Sequence, residues 1–346
     1  MSSPLWWRPD VHADRRPFLV QRGRIRQALQ GYFTARDFTE VECGALQVSP
    51  GNEAHLHAFA TERLDEEGRE RPFYLHTSPE FSCKKLLAAG ERRIFDFARV
   101  YRNRESGPLH ASEFTMLEWY RAEEPYAAVM DDSLALCRLA LATTGRPALE
   151  WRGVACDPGA EPERLTLIDA FARHAGVDLE AALGDRDKLA RAASVIGVRV
   201  AGDDTWSDLF SRILVERIEP MLGAGRLTLL CDYPSAEAAL ARPTALDPRF
   251  AERFELYACG VELANGFGEL TDAVEQRRRF EIEMTEKQRV YGERYPLDED
   301  FLAALPAMPD ASGVALGFDR LVMLATGARR ISDVLWTPLP EQGRPS

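Results

Sequence analysis

An arginine and two aromatic residues have the types and spacing needed to hold a nucleotide. Arg102 follows the alternate positions Ala98 and Val100, which are small and leave room for a bound molecule on that side of a strand. A guanidinium group there can fork onto a phosphate. Phe114 and Tyr120 share one side of the next strand, about 20 Å apart at about 3.4 Å per residue. That span fits a nucleotide base at one end and a small substrate at the other.

Three carboxylates, Glu80, Glu262 and Glu269, lie in segments that are otherwise apolar or rich in glycine. An uncompensated charge there would cost several kcal/mol, so we expect cations to meet them. A substrate with two ammonium groups would do so, and Mg²⁺ bridging phosphates would suit the Glu262 end. Glu262 and Glu269 have opposite parity in a regular strand, so a bend near Gly266 or Gly268 must re-aim one of them. Surface pairing with nearby arginines is the alternative.

The apolar periodicity predicts the elements that must position these groups. We predict helices over about 17–36, 125–143, 166–175, 206–218 and 273–292, the last opened by Thr271. We predict strands over 38–43, 94–102, 113–121, 227–231 and 254–263, with a final strand and helix over 314–325. The segment 104–112 joins two strands as a hairpin loop. The simplest fold class is α+β, a single domain with an antiparallel sheet flanked by helices.

Composition excludes several function classes. The 346 residues include 43 basic and 55 acidic side chains, a net charge of −12, which disfavours holding nucleic acid through the overall field. The six cysteines stand singly, which suits a reducing cytoplasm. The N-terminus does not have the pattern of a signal peptide, and the longest apolar stretch, 129–144, is interrupted by charges. We therefore expect a cytoplasmic protein without a membrane span.

Four segments together resemble the catalytic core of class II aminoacyl-tRNA synthetases. They are Thr77-Ser-Pro-Glu80, the hairpin Tyr101–Tyr120, Glu262–Leu270 and Gly313–Arg320. The hairpin is similar to motif 2 of that family and the Arg320 segment to motif 3, and the order fits over about 17–330. The resemblance implies ATP as a substrate, Mg²⁺ and a homodimer.

The resemblance also implies roles for individual residues at the nucleotide. Arg102 would bind the α-phosphate, Phe114 one face of adenine, and Arg320 the other face near the γ-phosphate, with both arginines catalytic. The further ATP contacts that it implies are Asn103, Arg104, His110, Ala111, Glu262, Leu263 and Gly317. The implied metal ligands are Glu262 and Glu269.

The segment 262–270, with Glu252–Leu256 before it, resembles the lysine branch of the family. This implies that Glu80, Tyr120 and Glu269 hold a lysine-like substrate. The other residues implied at the substrate are Ser78, Pro79 and Ala315. Ala315 stands where lysyl-tRNA synthetases usually have glycine, so its methyl group would reshape the pocket floor.

The length before the first predicted helix bears on the domain organisation. Only about 16 residues precede it, whereas a five-stranded anticodon-reading barrel needs at least roughly 50. We expect an N-terminal arm over 1–16, a catalytic domain over 17–335, a tail over 336–346 and no anticodon-binding domain. The chain thus resembles the stand-alone paralogues of lysyl-tRNA synthetase, which ligate (R)-β-lysine to a lysine of translation elongation factor P.

Departures from the family pattern keep alternatives open. Arg104 stands where the family usually has glutamate, Ala111 replaces an asparagine of the ATP site, and strand alternation predicts that Glu105 points away from that site. One alternative is a minimal lysyl-tRNA synthetase, although the net charge and the short N-terminus disfavour tRNA as a partner. Another is a non-catalytic regulatory paralogue. The sequence does not separate lysine from (R)-β-lysine as the substrate.

Overall fold

The computed structural model describes residues 5–339, so residues 1–4 of the predicted arm and 340–346 of the predicted tail lie outside the described residues. The helices are α1 (Pro9–Thr34), α2 (Glu80–Ala88), α3 (Tyr126–Thr144), α4 (Leu167–Ala170), α5 (Arg186–Val195), α6 (Trp206–Ile213), α7 (Ala273–Tyr291), α8 (Glu299–Ala304), α9 (Phe318–Thr326) and α10 (Ile331–Val334). The strands are β1 (Thr39–Glu40), β2 (Leu46–Gln47), β3 (Phe59–Leu64), β4 (Glu70–Leu75), β5 (Arg93–Tyr101), β6 (Glu113–Ala122), β7 (Leu149–Trp151), β8 (Val154–Asp157), β9 (Glu163–Thr166), β10 (Gly225–Arg226), β11 (Thr228–Pro234), β12 (Phe250–Ala258), β13 (Val261–Gly268) and β14 (Ala311–Gly317). Two π-helical turns, Phe171–Ala175 and Leu214–Ile218, continue α4 and α6.

The main sheet has eight strands in the order β1-β5-β6-β14-β13-β12-β11-β9. The six inner strands are antiparallel, and β1 and β9 join the two edges in parallel. The predicted α+β fold, with an antiparallel sheet flanked by helices, is confirmed. The chain reverses between β5 and β6 through the predicted hairpin loop, so Val100 pairs with Phe114.

The two faces of the sheet are used differently. One face packs against α1, α3 and α9 in a continuous core that includes Phe33, Phe95, Trp119, Leu316 and Val322. The alternate residues of β5 and β6 point to the opposite face and form a smaller cluster, Ala98, Val100, Phe114 and Met116. Because successive side chains of a strand alternate between faces, the same strands build both the core and the floor of a cavity.

Two predicted elements have different bounds in the structure. The first helix begins at Pro9 and runs through Pro17, so residues 9–16 of the predicted arm are helical. Pro9 suits the first turn, where its missing N–H is not needed. The single strand predicted over 254–263 is a hairpin of β12 and β13. Cys259 and Gly260 turn the chain there with φ of 57° and 72°, the pair of positive angles that a tight two-residue turn requires.

Helix α7 has nearly the predicted bounds, but its N-cap is Asp272 instead of Thr271. The Asp272 carboxylate accepts hydrogen bonds from the N–H groups of Val274 and Glu275. Short elements that the periodicity did not reveal include α2 and the β3–β4 hairpin. Helix α2 carries Glu80, which lines the cavity.

Candidate active site

A cavity with about 1090 Å³ of space, open to solvent at its mouth, lies on the sheet face that the core helices leave uncovered. The predicted residues that line it are Ser78, Glu80, Arg102, His110, Ala111, Phe114, Glu262, Leu263, Ala315, Gly317 and Arg320. Most of the predicted site is thus brought together, although it comes from segments up to 242 residues apart, Ser78 and Arg320.

The end of the cavity formed by Arg102, Phe114 and Arg320 is called the arginine end. The Arg102 guanidinium lies 5.4 Å from the centre of the Phe114 ring, and its Nε donates to the Thr77 carbonyl at 3.3 Å. Glu105 also lines the cavity, with Oε1 4.0 Å from Arg102 Nη1. The expectation that Glu105 points away is wrong. Strand β5 ends at Tyr101, and the left-handed backbone that follows breaks the alternation on which that expectation rested.

Arg320 reaches this end from the first turn of α9. Its Nη1 donates to the Glu262 carbonyl at 3.0 Å and lies 3.6 Å from the Glu262 carboxylate. Its Nη2 lies 2.8 Å from His110 Nε2. Burial and the neighbouring Arg320 lower the pKa of His110, so the imidazole is neutral and accepts this hydrogen bond.

Helix α9 is fixed in place by a buried ion pair. Asp319 pairs with Arg22 of α1 and accepts a hydrogen bond at 2.7 Å from the Thr115 N–H of β6. Arg22 also donates to the Thr115 hydroxyl at 2.9 Å. These contacts join α1, β6 and α9, and they set the position from which Arg320 enters the cavity.

Ser78 and Glu80 line the opposite end of the cavity, and Lys84 and Glu269 lie behind them; this group of four residues is called the acidic end. Lys84 is fully buried between Glu80 and Glu269; it bonds to Glu80, and its Nζ lies 2.6 Å from Glu269 Oε2. Burial disfavours the charged lysine, but the two carboxylates outweigh it and raise the pKa of Lys84. The sequence predicted that a cation would meet these carboxylates. The structure shows that the first such cation belongs to the chain itself.

Glu269 lies just beyond the end of β13, which stops at Gly268, and the predicted bend near that glycine stays a prediction. Burial raises the pKa of Glu269 to about 7, against the opposing effect of Lys84. Glu269 Oε2 makes no hydrogen bond of good geometry despite its ion pair with Lys84. This oxygen is itself buried, and its partner in the structure is the Lys84 ammonium.

Tyr120 lies beneath the acidic end, in a layer under the cavity lining. Its hydroxyl donates to Glu118 at 2.8 Å, and Ser78 donates to the other Glu118 oxygen at 2.5 Å. Burial, with repulsion from Glu80, raises the pKa of Glu118 to about 8. The Tyr120 ring packs so closely under Gly313 that a Cβ there would lie 2.3 Å from the ring.

Several predicted residues lie outside the cavity lining: Pro79, Asn103, Arg104, Tyr120 and Glu269. Pro79 is the N-cap residue of α2, and the Asn103 N–H donates to the His57 carbonyl at 2.7 Å. Arg104 bonds to Glu293 and lies 5.8 Å from the centre of the Tyr291 ring. The structure thus places Arg104 on the outer side of the hairpin loop, and its contact with ATP stays a prediction.

The predicted metal ligands, Glu262 and Glu269, stay a prediction. Within residues 5–339 no three His, Cys, Asp or Glu side chains gather around one point, and Glu269 is paired with Lys84. Glu262 has a different carboxylate neighbour: burial raises its pKa and Glu255 on β12 raises it further. Two neighbouring carboxylates suit Mg²⁺, which commonly takes one or two carboxylates and completes its shell with phosphates and water. The pair that fits this role is Glu255 and Glu262.

Sequence reasoning missed Lys84, Glu118, Glu255 and Glu53 as residues of the site. Lys84 lies four residues after Glu80 on α2, a spacing that signals a helical ion pair. Glu255 is seven residues before Glu262, on the adjacent strand. Glu53 lines the cavity from the loop between β2 and β3, and no periodicity marks that loop.

The family model for class II tRNA synthetases (D, K and N) matches residues 11–340, so the chain belongs to that family. The family predicted from the motifs is confirmed. No helix within residues 5–339 is long and apolar enough to cross a membrane.

Relatives that cover nearly the whole chain are named elongation factor P–(R)-β-lysine ligase. One from Haemophilus influenzae strain PittGG is 38% identical over 331 residues, covering 95% of this chain and 96% of that protein. One from Salmonella arizonae is 37% identical and covers 97% and 98% of the two chains, and one from Proteus mirabilis is 36% identical and covers 98% and 99%. This chain is therefore similar to these ligases throughout its length.

Proposed function

We propose that this protein is an ATP-dependent ligase that activates (R)-β-lysine or lysine as an adenylate and transfers it to a lysine side chain of translation elongation factor P. The observation that carries the proposal is the cavity, in which two arginines and a phenylalanine lie at one end and carboxylates at the other. The full-length similarity to proteins named as such ligases supports the acceptor.

The arginine end would bind ATP. Arg102 is placed for the α-phosphate, Phe114 for one adenine face and Arg320 for the other, with His110, Ala111, Leu263 and Gly317 alongside. The substrate carboxylate attacks the α-phosphorus, pyrophosphate leaves, and an acyl-adenylate remains. Arg102 offsets the negative charge that accumulates at phosphorus, so positioning and electrostatics supply the catalysis.

Glu255 and Glu262 would hold Mg²⁺, which supplies positive charge to the phosphates when it is bound. Glu262 faces the cavity and lies 3.6 Å from Arg320 Nη1, so the metal and the guanidinium would share the phosphate charge. Arg253 holds Glu255 at 2.5 Å, and Tyr257 donates to its other oxygen at 2.5 Å. These contacts fix the orientation of the carboxylate.

The acidic end would bind the amino acid. Glu80 and Glu269, when ionised, carry two negative charges against the single positive charge of Lys84, which leaves one for a substrate ammonium. Ser78 and Ala315 line the floor here, while Tyr120 supports it from below.

In the second step the ε-amine of the acceptor lysine attacks the activated carbonyl carbon. AMP leaves, an amide bond forms, and the amine loses its proton. The test is amino-acid-dependent exchange of pyrophosphate into ATP, followed by mass spectrometry of purified elongation factor P after incubation with enzyme, ATP and either amino acid. We expect exchange and a mass gain of one lysyl group on the factor. Exchange with neither amino acid would contradict the proposal, and acylation of tRNA in place of the factor would favour the minimal synthetase.

A further inference from the structure

The segment that leads into the acidic end lies along β5, the strand that precedes Arg102. The imidazole Nε2 of His76 lies 2.6 Å from the Arg99 carbonyl oxygen, and the Tyr101 N–H donates to the His76 carbonyl at 3.0 Å. The Arg102 Nε donates to the Thr77 carbonyl at 3.3 Å. His76 and Thr77 thus contact the end of this strand, and the residue just after it, at three points.

His76 follows β4 directly, and its side chain joins two sheets. Strand β4 belongs to the three-stranded sheet β2-β4-β3, whereas β5 belongs to the eight-stranded sheet. A carbonyl oxygen only accepts hydrogen bonds, so Nε2 carries the proton and donates to Arg99. The ring is 1% exposed, and this burial lowers the pKa of His76, so the imidazole is neutral. The ring therefore links the two sheets as a neutral donor.

Thr77 is held from its other side by the loop between β2 and β3. Its N–H and its hydroxyl group both donate to the Pro50 carbonyl, at 3.2 and 2.8 Å. Contacts of His76 on one side and of Pro50 on the other leave the Thr77 peptide little freedom to rotate. The Thr77 carbonyl is therefore fixed where it meets Arg102 Nε.

The bond from Thr77 determines how Arg102 presents its charge to the cavity. A planar guanidinium carries one N–H on Nε and two on each terminal nitrogen. The Thr77 carbonyl takes the Nε donor, while Glu105 Oε1 lies 4.0 Å from Nη1, beyond hydrogen-bond distance. The terminal nitrogens thus keep donors for a phosphate, and rotation of the Thr77 carbonyl would let the plane of the guanidinium turn.

We propose that His76 is a positioning residue for adenylate formation, which holds the Thr77 carbonyl and through it sets the plane of the Arg102 guanidinium. The inference rests on the proposed function and extends it. His76 does not line the cavity that would hold ATP, so it acts through Arg102 and not by contact with a substrate. Attack at the α-phosphorus tolerates little misplacement of the group that offsets its charge.

The test compares two amides in place of the imidazole. In His76→Gln the amide nitrogen lies near the position of Nε2 and still reaches the Arg99 carbonyl, whereas in His76→Asn it lies near that of Nδ1 and falls short. We expect the kcat of pyrophosphate exchange to fall about 10- to 100-fold in His76→Asn and less than about threefold in His76→Gln. The KM for the amino acid should change less than about threefold in both variants, because Ser78 and Glu80 keep their own contacts.

A second comparison tests whether the effect depends on Arg102. The Arg102→Ala variant lacks the group on which His76 acts, so His76→Asn should lower its kcat by less than about twofold further. Exchange is measured at raised enzyme concentration for the double variant. A general loss of structure would instead multiply with the loss caused by Arg102→Ala.

Trp206→Phe is the matched control for stability. Trp206 Nε1 donates to the Ala182 carbonyl at 2.8 Å, so this variant also loses one bond from a ring nitrogen to a backbone oxygen, and Trp206 does not line the cavity. Its kcat and KM values should match those of the parent. Urea denaturation shows that each variant is folded in the assay. If His76→Asn does not fold, His76→Phe, which keeps a ring without nitrogens, takes its place.

Three results would overturn the proposal while leaving the proposed function standing. They are a kcat for His76→Asn within about threefold of the parent, equal losses in His76→Asn and His76→Gln, and a loss in the Arg102→Ala background as large as in the parent. A parent enzyme that exchanges pyrophosphate with neither lysine nor (R)-β-lysine would instead overturn the proposed function, and this inference with it.

Discussion

The charged side chains at the arginine end and at the acidic end of the cavity are neutralised to different degrees. Arg102 and Arg320 line the cavity, and the carboxylates nearest to them are 4.0 and 3.6 Å away, so both guanidinium groups keep donors for an incoming anion. Glu80 and Glu269 instead close tightly on the buried Lys84. One end is held ready for a polyanion, and the other is largely neutralised before the substrate arrives.

This difference explains how one cavity can bind two unlike ligands. ATP brings several negative charges, so exposed cations suit it even in competition with water. A lysine-like substrate brings two separate ammonium groups, and a fully uncompensated pair of buried carboxylates would destabilise the empty protein. An internal lysine lowers that cost and leaves a small residual negative charge, which the substrate ammonium neutralises.

Removal of Lys84, the internal cation, should have the largest effect on the difference between the two ends. Lys84→Met should lower the free energy of unfolding by about 3–5 kcal/mol, because two buried carboxylates lose their partner. Urea denaturation measures this change. The double variant Lys84→Met/Glu269→Gln should recover part of the loss, since it removes one unpaired charge. Lys188→Met, which breaks an exposed pair, is the control and should change stability little. A Lys84→Met protein as stable as the parent would show that the acidic end does not depend on Lys84.

At the arginine end the same kind of change should act on rate instead of stability. Arg102→Ala should slow pyrophosphate exchange about 10²- to 10³-fold, the usual cost of losing one group that stabilises a developing charge. Its folded-state contacts are weak, so the urea midpoint should stay near that of the parent. Arg99→Ala is the control, because Arg99 is exposed on β5, three residues before Arg102. If Arg102→Ala left exchange intact, its assignment to the α-phosphate would be wrong.

The space around a glycine also differs between the two ends. A methyl group at Gly313 would lie 2.3 Å from the Tyr120 ring and 2.5 Å from Glu269 Oε1, whereas one at Gly317 would meet Arg320 Cδ at 3.5 Å. Gly313→Ala should therefore destabilise the protein by about 1–3 kcal/mol through overpacking and raise the KM for the amino acid. Gly317→Ala should leave stability unchanged. Equal thermal stability of the two variants would contradict the close packing at the acidic end.

The strands of the site were predictable because alternation is a local signal. The segments 94–102 and 113–121 were predicted within about a residue of β5 and β6, since both faces of these strands are buried. Their alternation also placed Ala98, Val100 and Phe114 on one face, as observed. Only the family resemblance predicted that the segments around Glu262 and Arg320 lie beside these two strands. Contacts between distant segments produce no periodic pattern in the sequence.

The residues that sequence reasoning missed have a common cause. Lys84 is a lysine whose spacing from Glu80 looks like an exposed helical pair, and its second partner, Glu269, lies 185 residues further along the chain. Glu53 lies in a loop fixed by a helix more than 200 residues away. Glu105 follows a residue with φ of 64°, which reverses the expected side. Each depends on a long-range contact or on a backbone turn that composition does not reveal.

The smallest effect is expected at Arg104, which the family pattern assigns to ATP and the structure places on the outer side of the hairpin loop. Arg104→Asn removes the guanidinium but tolerates the left-handed φ of 64°. Because the Arg104 side chain bonds to Glu293 at the surface, the KM for ATP should change by only about twofold. Glu293→Gln, which removes the charge of the same pair, should change it equally little. A rise above tenfold in Arg104→Asn alone would mean that Arg104 leaves Glu293 and enters the cavity when ATP binds. The arginine end would then gain a third cation on binding, and the contrast with the pre-neutralised acidic end would be larger than the empty cavity shows.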